Sequence, residues 1–172
     1  MLALETERLA LRMFGPGDLG AYAEMCSDAE VMRYINDGRT LTRDESWRDM
    51  AVILGHWQLQ GYGLWAAEER ATQNLIGRIG HWNPEGWPGF ELGWMLGRRY
   101  WGCGFATEGA RAALQHAFAV LSVPHVISLI HPENARSIRV AEKLGERLEG
   151  TTEIANIKLL VYGIDKSEYV LN

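Results

Sequence analysis

Arg98, Arg99, Gly102 and Gly104 lie close together in Gly97-Arg98-Arg99-Tyr100-Trp101-Gly102-Cys103-Gly104-Phe105, directly before an alanine-rich run. The first turn of a helix leaves its N–H groups without intrahelical partners, and the macrodipole adds positive potential there. Glycines at 102 and 104 remove Cβ atoms from the approach, so a phosphate can come close to the main chain. The two arginines can add charge-assisted contacts. The chemistry predicted for this corner is binding of a phosphate or diphosphate. Two common phosphate patterns fail. A P-loop starting at Gly97 requires Lys and then Ser or Thr where the chain has Cys103 and Gly104, and a dinucleotide pattern needs a glycine where Thr107 stands. By itself, a Gly-x-Gly turn before a helix is more often an ordinary tight turn.

The elements around the corner follow from periodicity. Glu7 to Phe14 alternates Leu9, Leu11 and Met13 with Arg8 and Arg12, which is strand spacing. Gly15-Pro16-Gly17-Asp18 stops it and caps a helix to about Ser27, and a further short helix covers Ala29 to Ile35. Asp44 to Gln60 reads as a longer helix with an apolar stripe of Trp47, Met50, Ala51, Leu54 and Trp57. Gly63–Glu69 and Leu75–Trp82 form a predicted hairpin, and Phe90–Leu96 a further strand with Gly93 inside it, a position that often marks a bulge. After the corner come a helix over Phe105–Leu121, a strand over His125–Ile130 and a helix over Asn134–Leu144 closed by Gly145. Two strands, Leu148–Thr152 and Ile157–Ile164, end the order. The expected class is a mixed α/β domain with one central sheet, and nothing resembling a linker or repeat divides residues 1–172.

With those elements in place, the corner matches a third pattern. Arg99-Tyr100-Trp101-Gly102-Cys103-Gly104 resembles the pyrophosphate loop of the GNAT superfamily of N-acetyltransferases: Arg or Gln, two residues, Gly, one residue, then Gly or Ala. Tyr100-Trp101-Gly102 followed by Phe105-Ala106-Thr107-Glu108 is similar to the branch that includes the Rim-type enzymes acetylating ribosomal-protein N-termini. Glu5-Thr6-Glu7-Arg8-Leu9-Ala10-Leu11-Arg12 resembles that branch's first strand, Phe90–Leu96 its fourth, and Asn134–Gly145 the helix after its fifth. These blocks run in the same order over nearly the whole chain.

The resemblance implies a mostly antiparallel sheet of about seven strands flanked by helices, acetyl-CoA as co-substrate, and an amine acceptor, either a protein N-terminus or a small molecule. In that family the fourth and fifth strands splay, and the pantetheine arm lies in the gap; Gly93 is the expected position of the bulge that opens it. The backbone of Trp94, Met95 and Leu96 is expected to pair with pantetheine, and Met95 N–H to face the developing oxyanion. Arg99, Tyr100, Trp101, Gly102, Cys103, Gly104, Phe105 and Ala106 are expected at the diphosphate, and Asn134 and Ser137 at the pantetheine and thioester end. Glu91 is the candidate base and Ser137 the candidate partner of the departing thiolate; their ordinary roles would be a strand carboxylate and a first-turn helix residue. Many family members carry a Tyr as general acid where this chain has Ala141, so Ser137, Tyr100 or solvent must take that part. The same departure leaves a non-catalytic acyl-CoA-binding module as the alternative function. Trp82 and Trp87 are candidates for the substrate mouth, together with a groove wall around Glu153–Asn156, and Trp47, Trp57 and Trp65 for the core. A homodimer is common among such relatives.

Composition narrows the classes further. A net charge of −5 opposes a general nucleic-acid binder, which needs a basic face. No run approaches the roughly 20 apolar residues of a membrane span, and the N-terminus lacks signal-peptide character. Two cysteines make no disulfide framework, and the five histidines show no metal-ligand spacing, so no metal and a reducing cytoplasm are expected.

Overall fold

The computed structural model describes residues 4–169. One sheet of eight strands runs through it: β1 (Leu4–Glu5), β2 (Leu9–Arg12), β3 (Leu64–Glu69), β4 (Asn74–Trp82), β5 (Glu91–Leu96), β6 (His125–Ile130), β7 (Arg147–Ile154) and β8 (Ile157–Asp165). Their order is β1-β2-β3-β4-β5-β6-β8-β7, antiparallel at every junction except β5/β6. The helices are α1 (Leu19–Ser27), α2 (Ala29–Met32), α3 (Arg43–Gln60), α4 (Phe105–Ala119) and α5 (Ala135–Leu144). The eighth strand, absent from the sequence reading, is the two-residue β1, too short to carry an alternation of its own.

Both faces of the sheet are covered, which explains the unbroken burial of β3. Trp65 and Ala67 pack with Leu9, Ile79, Ala110 and Leu114 on the α4 side, while Leu64 and Ala66 pack with Tyr22, Met25, Met50 and Ile53 on the α1–α3 side. Gly109 lets α4 sit close to the sheet: a Cβ there would lie 2.5 Å from Ile79 Cδ1.

Helix α3 begins with a capping box, Thr42 with Glu45, and ends at Gly61 with φ of 75°. Its buried face differs from the predicted stripe. Ser46, Met50, Ile53 and His56 face inward, and Trp47 is 58% exposed. Ser46 donates to the Thr42 carbonyl and His56 is bonded at both ring nitrogens, so two polar residues are buried without orphaned groups and hydrophobicity alone misplaces the stripe. Of the three tryptophans expected in the core, Trp65 is fully buried and Trp57 partly so.

The β5/β6 junction positions the site. The two parallel strands share the single pair Glu91↔Ile127, with Ile127 N–H donating to Phe90 O, and then part. The splay is therefore present, but the β4/β5 register runs without a shift through Gly80↔Gly93, so no bulge on that ladder creates it. The register irregularity nearby lies instead between Ala67 and Glu68 of β3.

Candidate functional site

A cavity of about 540 Å³ opens where β5 and β6 part. Glu91, Gly93, Trp94 and Met95 of β5 line it, as do Ser128 and Leu129 of β6 and Asn134 and Ser137 at the start of α5. The remaining wall comes from the segment after α2, from α3 and from the β7–β8 turn, where Ile154 and Ala155 reach the cavity as the expected groove around 153–156 required. Trp82 and Trp87 line it too. Trp82 stacks on His56 at 4.5 Å, and His56 is held as a neutral ring, Nδ1 donating to Tyr62 O and Nε2 accepting from Asn83 N–H. Burial keeps its pKa below the usual histidine range.

Glu91 projects from β5 beside Gly93, whose missing side chain leaves it room. Burial pushes its carboxyl up to about 7, against the pull of the Trp87 indole N–H (2.7 Å to Oε2), the charge of Arg78 and the Leu129 amide. A carboxyl poised near neutrality, in a cavity of ligand size, can exchange a proton with a bound amine.

The ladder decides which β5 amides face the gap. Gly97 N–H donates to Ile76 O of β4, and antiparallel bonding alternates, so Met95 and Gly93 also direct their main-chain groups to β4. Met95 N–H is thus committed to the sheet and cannot be the oxyanion donor expected of it; its side chain lines the cavity instead. Trp94 and Leu96 direct their amides to the gap, although the Leu96 carbonyl already accepts from Trp101 Nε1 at 2.8 Å. The Trp94 indole donates to Ser137 Oγ (3.3 Å), and Asn134 Oδ1 accepts from Ser137 N–H as the α5 N-cap. Cap and site functions therefore fall on the same residues.

At the far end of β5 the glycine corner is built as a cradle of amides. Gly102 and Gly104 have φ of 76° and 85°, and Gly104 caps α4 with no side-chain bond. From Gly102 through Thr107 the N–H groups find no acceptor among the described residues. A Cβ on Gly102 would meet nothing within 4 Å, so its glycine serves the left-handed backbone more than closeness to a neighbour. Arg99 lies over the Tyr100 ring (4.8 Å) and Arg136 over the Trp101 ring (4.5 Å), which places both cations beside the corner.

A family model of the acetyltransferase (GNAT) domain matches residues 8–147. The chain belongs to the GNAT family. It is 31% identical to the uncharacterized N-acetyltransferase YnaD of Bacillus subtilis over 147 residues, covering 86% of this chain and 84% of that one. Among solved structures, a GNAT-family acetyltransferase from Bacillus anthracis superposes with a TM-score of 0.84 at 28% identity, covering 97% of this chain and all of the other. RimL, a ribosomal L7/L12 α-N-protein acetyltransferase solved with coenzyme A, shares the fold at a TM-score of 0.81 and 15% identity, over 95% of this chain and 98% of that one.

In this GNAT chain several working residues escape a reading of the sequence. Arg8, from the segment before β2, donates to the Cys103 carbonyl (3.0 Å), pairs with Glu108 of α4 and lies 4.5 Å over Phe105. Thr6 also donates to Glu108 (2.6 Å). The first block of resemblance thus clamps the corner block, a link visible only in three dimensions. Glu146 is buried, and burial pushes it up to about 8. Ser128 Oγ lies 2.8 Å from the Leu92 carbonyl and 3.1 Å from Glu146 Oε1; with one hydroxyl proton given to the carbonyl, the second contact needs a proton from Glu146, in keeping with a neutral carboxyl. Arg78 and Trp87 do carry a sequence signal: one is a lone cation in the apolar strand Leu75–Trp82, the other an indole four residues before Glu91.

Proposed function

We propose that this chain transfers an acetyl group from acetyl-CoA to a primary amine by direct attack, with no covalent enzyme intermediate. One observation carries the reading: the β5/β6 gap has a near-neutral buried carboxyl at its base and an unfilled set of main-chain amides at its open end. The residues fit coenzyme A. Amides from Gly102 to Ala106 (through Cys103, Gly104 and Phe105) would hold its diphosphate at the helix N-terminus with the Arg99 side chain beside them, whereas the Tyr100 and Trp101 amides expected there are already given to the Gly97 and Arg98 carbonyls. Leu96 N–H would pair along its pantetheine arm, Trp94 N–H would meet the acetyl carbonyl, and Asn134 and Ser137 would lie at the thioester end. When bound, it supplies an activated acetyl carbon and a thiolate leaving group.

Glu91 takes the proton from the attacking amine. A carboxylate with a pKa of about 7 is better matched to an α-amine near 8 than to a lysine-type amine near 10.4, which favours an α-amine as the acceptor. Trp94 N–H, aimed into the gap, donates to the carbonyl oxygen as negative charge develops there. Ser137 Oγ, whose lone pair is engaged by the Trp94 indole, keeps its own proton for the departing sulfur. Ala141 is fully buried on α5 and contributes no acid.

Titration calorimetry with coenzyme A, followed by thiol release from acetyl-CoA over a panel of α-amines, polyamines and lysine-type amines, tests this. Binding with release that depends on an α-amine is expected. Binding without turnover on any amine would replace the enzyme by an acyl-CoA-binding module, and no binding would remove the reading altogether.

A further inference from the structure

Arg78 is a cation held inside the cavity wall with most of its donors unused. Its side chain is 13% exposed, and among the described residues the guanidinium makes one hydrogen bond, Nη1 to Asp49 Oδ2 at 3.3 Å. Asp49 shares that same oxygen with the Tyr22 hydroxyl at 2.5 Å, so the pairing is monodentate and long. A guanidinium has five N–H donors in a planar fork, and leaving them unmet in a desolvated place is costly. The Arg78 nitrogens are not sealed off, however, because the residue lines the cavity. A planar anion entering there would complete the fork.

The position along the sheet gives the anion's distance from the reacting nitrogen. Arg78 pairs opposite Met95, and Glu91 opposite Trp82, so their Cα atoms start about 13 Å apart along the strands. Both side chains are long, Gly93 leaves the floor between them bare, and the two charges act on each other across the cavity. One small molecule lying over that bare floor can therefore present a carboxylate to Arg78 and an ammonium to Glu91. The net charge selects a monoanion. Asp49 on one side and Glu91 on the other oppose a dianionic phosphate, while a zwitterion presents its ammonium to Glu91 and its carboxylate to Arg78. Beyond this axis the wall is mixed, Met32, Ile35, Leu41 and Val52 alternating with Tyr34, Asn36, Asp37 and Arg39.

We infer that the acceptor is a free amino acid, its α-carboxylate held by Arg78, its α-amine facing Glu91 and its side chain lying towards Met32 and Leu41. This rests on the acetyl-transfer reading above and narrows it, since a protein N-terminus carries an amide where this site expects a carboxylate. Arg78 is then a specificity residue, acting on the substrate's far group.

Matched acceptors test it: leucine, methionine and phenylalanine, each beside its carboxamide and its decarboxylated amine, compared as kcat/KM per free-base concentration. Wild-type protein is expected to favour each amino acid over both uncharged analogues by about thirtyfold or more. Arg78→Met should abolish that preference, bringing the ratio of amino acid to uncharged analogue within about threefold of one, with Arg78→Lys restoring part of it; a change in Glu91 acts on all three classes alike and leaves the ratio untouched. A wild-type enzyme that takes carboxamides or free-N-terminal peptides as well as amino acids overturns the inference while leaving acetyl transfer intact. So does an Arg78→Met protein that loses all three classes equally. Absence of thiol release with every amine overturns both. The wild-type comparison stands even if a variant fails to fold.

Discussion

Glu91 shows how a common side chain gains a specific chemistry from its surroundings. Burial raises its pKa to about 7, and the Trp87 N–H and Arg78 charge keep it from rising further. Below that value the carboxyl is protonated and cannot accept the amine's proton; above it the base is present. The kcat profile of the wild-type protein should therefore climb with an apparent pKa near 7. Glu91→Gln should remove that limb and lower kcat at pH 7.5 by about a hundredfold. A variant that keeps the limb would assign it to another group. The position of Glu91 on a strand beside the gap is legible in the sequence, but its partners are not. Trp87 lies in a Pro-Gly loop and Arg78 on the neighbouring strand, and only the register Trp82↔Glu91 and Arg78↔Met95 puts them at one cavity. The Met95 expectation failed for a related reason: a one-residue offset in ladder parity exchanges which amide faces the gap, and parity is set by Gly97 bonding to Ile76.

At the scale of elements, the glycine corner was readable because its demands are local. Two left-handed glycines and an uncapped helix start need no knowledge of distant residues. The clamp that stiffens it was not readable, since Arg8 and Thr6 come from the opposite end of the chain to hold Glu108 and the Cys103 carbonyl. The same limit explains α3, where a stripe chosen by hydrophobicity puts Trp47 inward and the real packing face carries Ser46 and His56. Gly104→Val tests the corner as a unit. A β-branched residue at φ of 85° is strained by about 1–3 kcal/mol, and its Cβ would lie 3.3 Å from Arg8 Nη2. The corner must then relax away from the geometry that presents its amides. The apparent KM for acetyl-CoA should rise tenfold or more, with a smaller change in kcat at saturation, as steady-state kinetics would register. An unchanged KM would remove the diphosphate from this corner.

Over the whole molecule, the two-sided sheet has a consequence that no single element carries. The hairpin of β3 and β4 and the alanine-rich helix α4 are legible in the sequence. What is not apparent there is that His81 of β4 and His116 of α4, 35 residues apart, meet between the layers. Their rings stack at 5.7 Å, with His116 Nδ1 3.5 Å from His81 Nε2, and Trp65 and Phe90 lie around His81. Among the described residues His81 Nδ1 and His116 Nε2 have no partner, so neither ring is equipped to carry a charge. Burial, and for His81 also the neighbouring histidines, lowers both pKa values, His81 to about 3. In the unfolded chain both return to about 6.5. A depressed folded pKa means that stability is fully present above 6.5 and is lost as pH falls, because the unfolded chain takes up protons that the fold refuses. For His81 alone the loss by pH 5 is about 2 kcal/mol, which in a protein of this size lowers Tm by roughly 4–8 °C. The His116 contribution adds to it. Glu91 and Glu146, whose carboxyls are raised to about 7 and 8, act the other way over the same range, so the histidine contribution is read as a difference. In thermal melts from pH 7.5 to 5 the double variant His81→Leu/His116→Leu should gain on the wild type as pH falls, since leucine replaces rings whose outer nitrogens bond to nothing among the described residues. Equal slopes for the two proteins would place the acid sensitivity outside the contact between α4 and the sheet, at His56, whose pKa burial also lowers and whose unfolded ring takes up a proton in the same pH range.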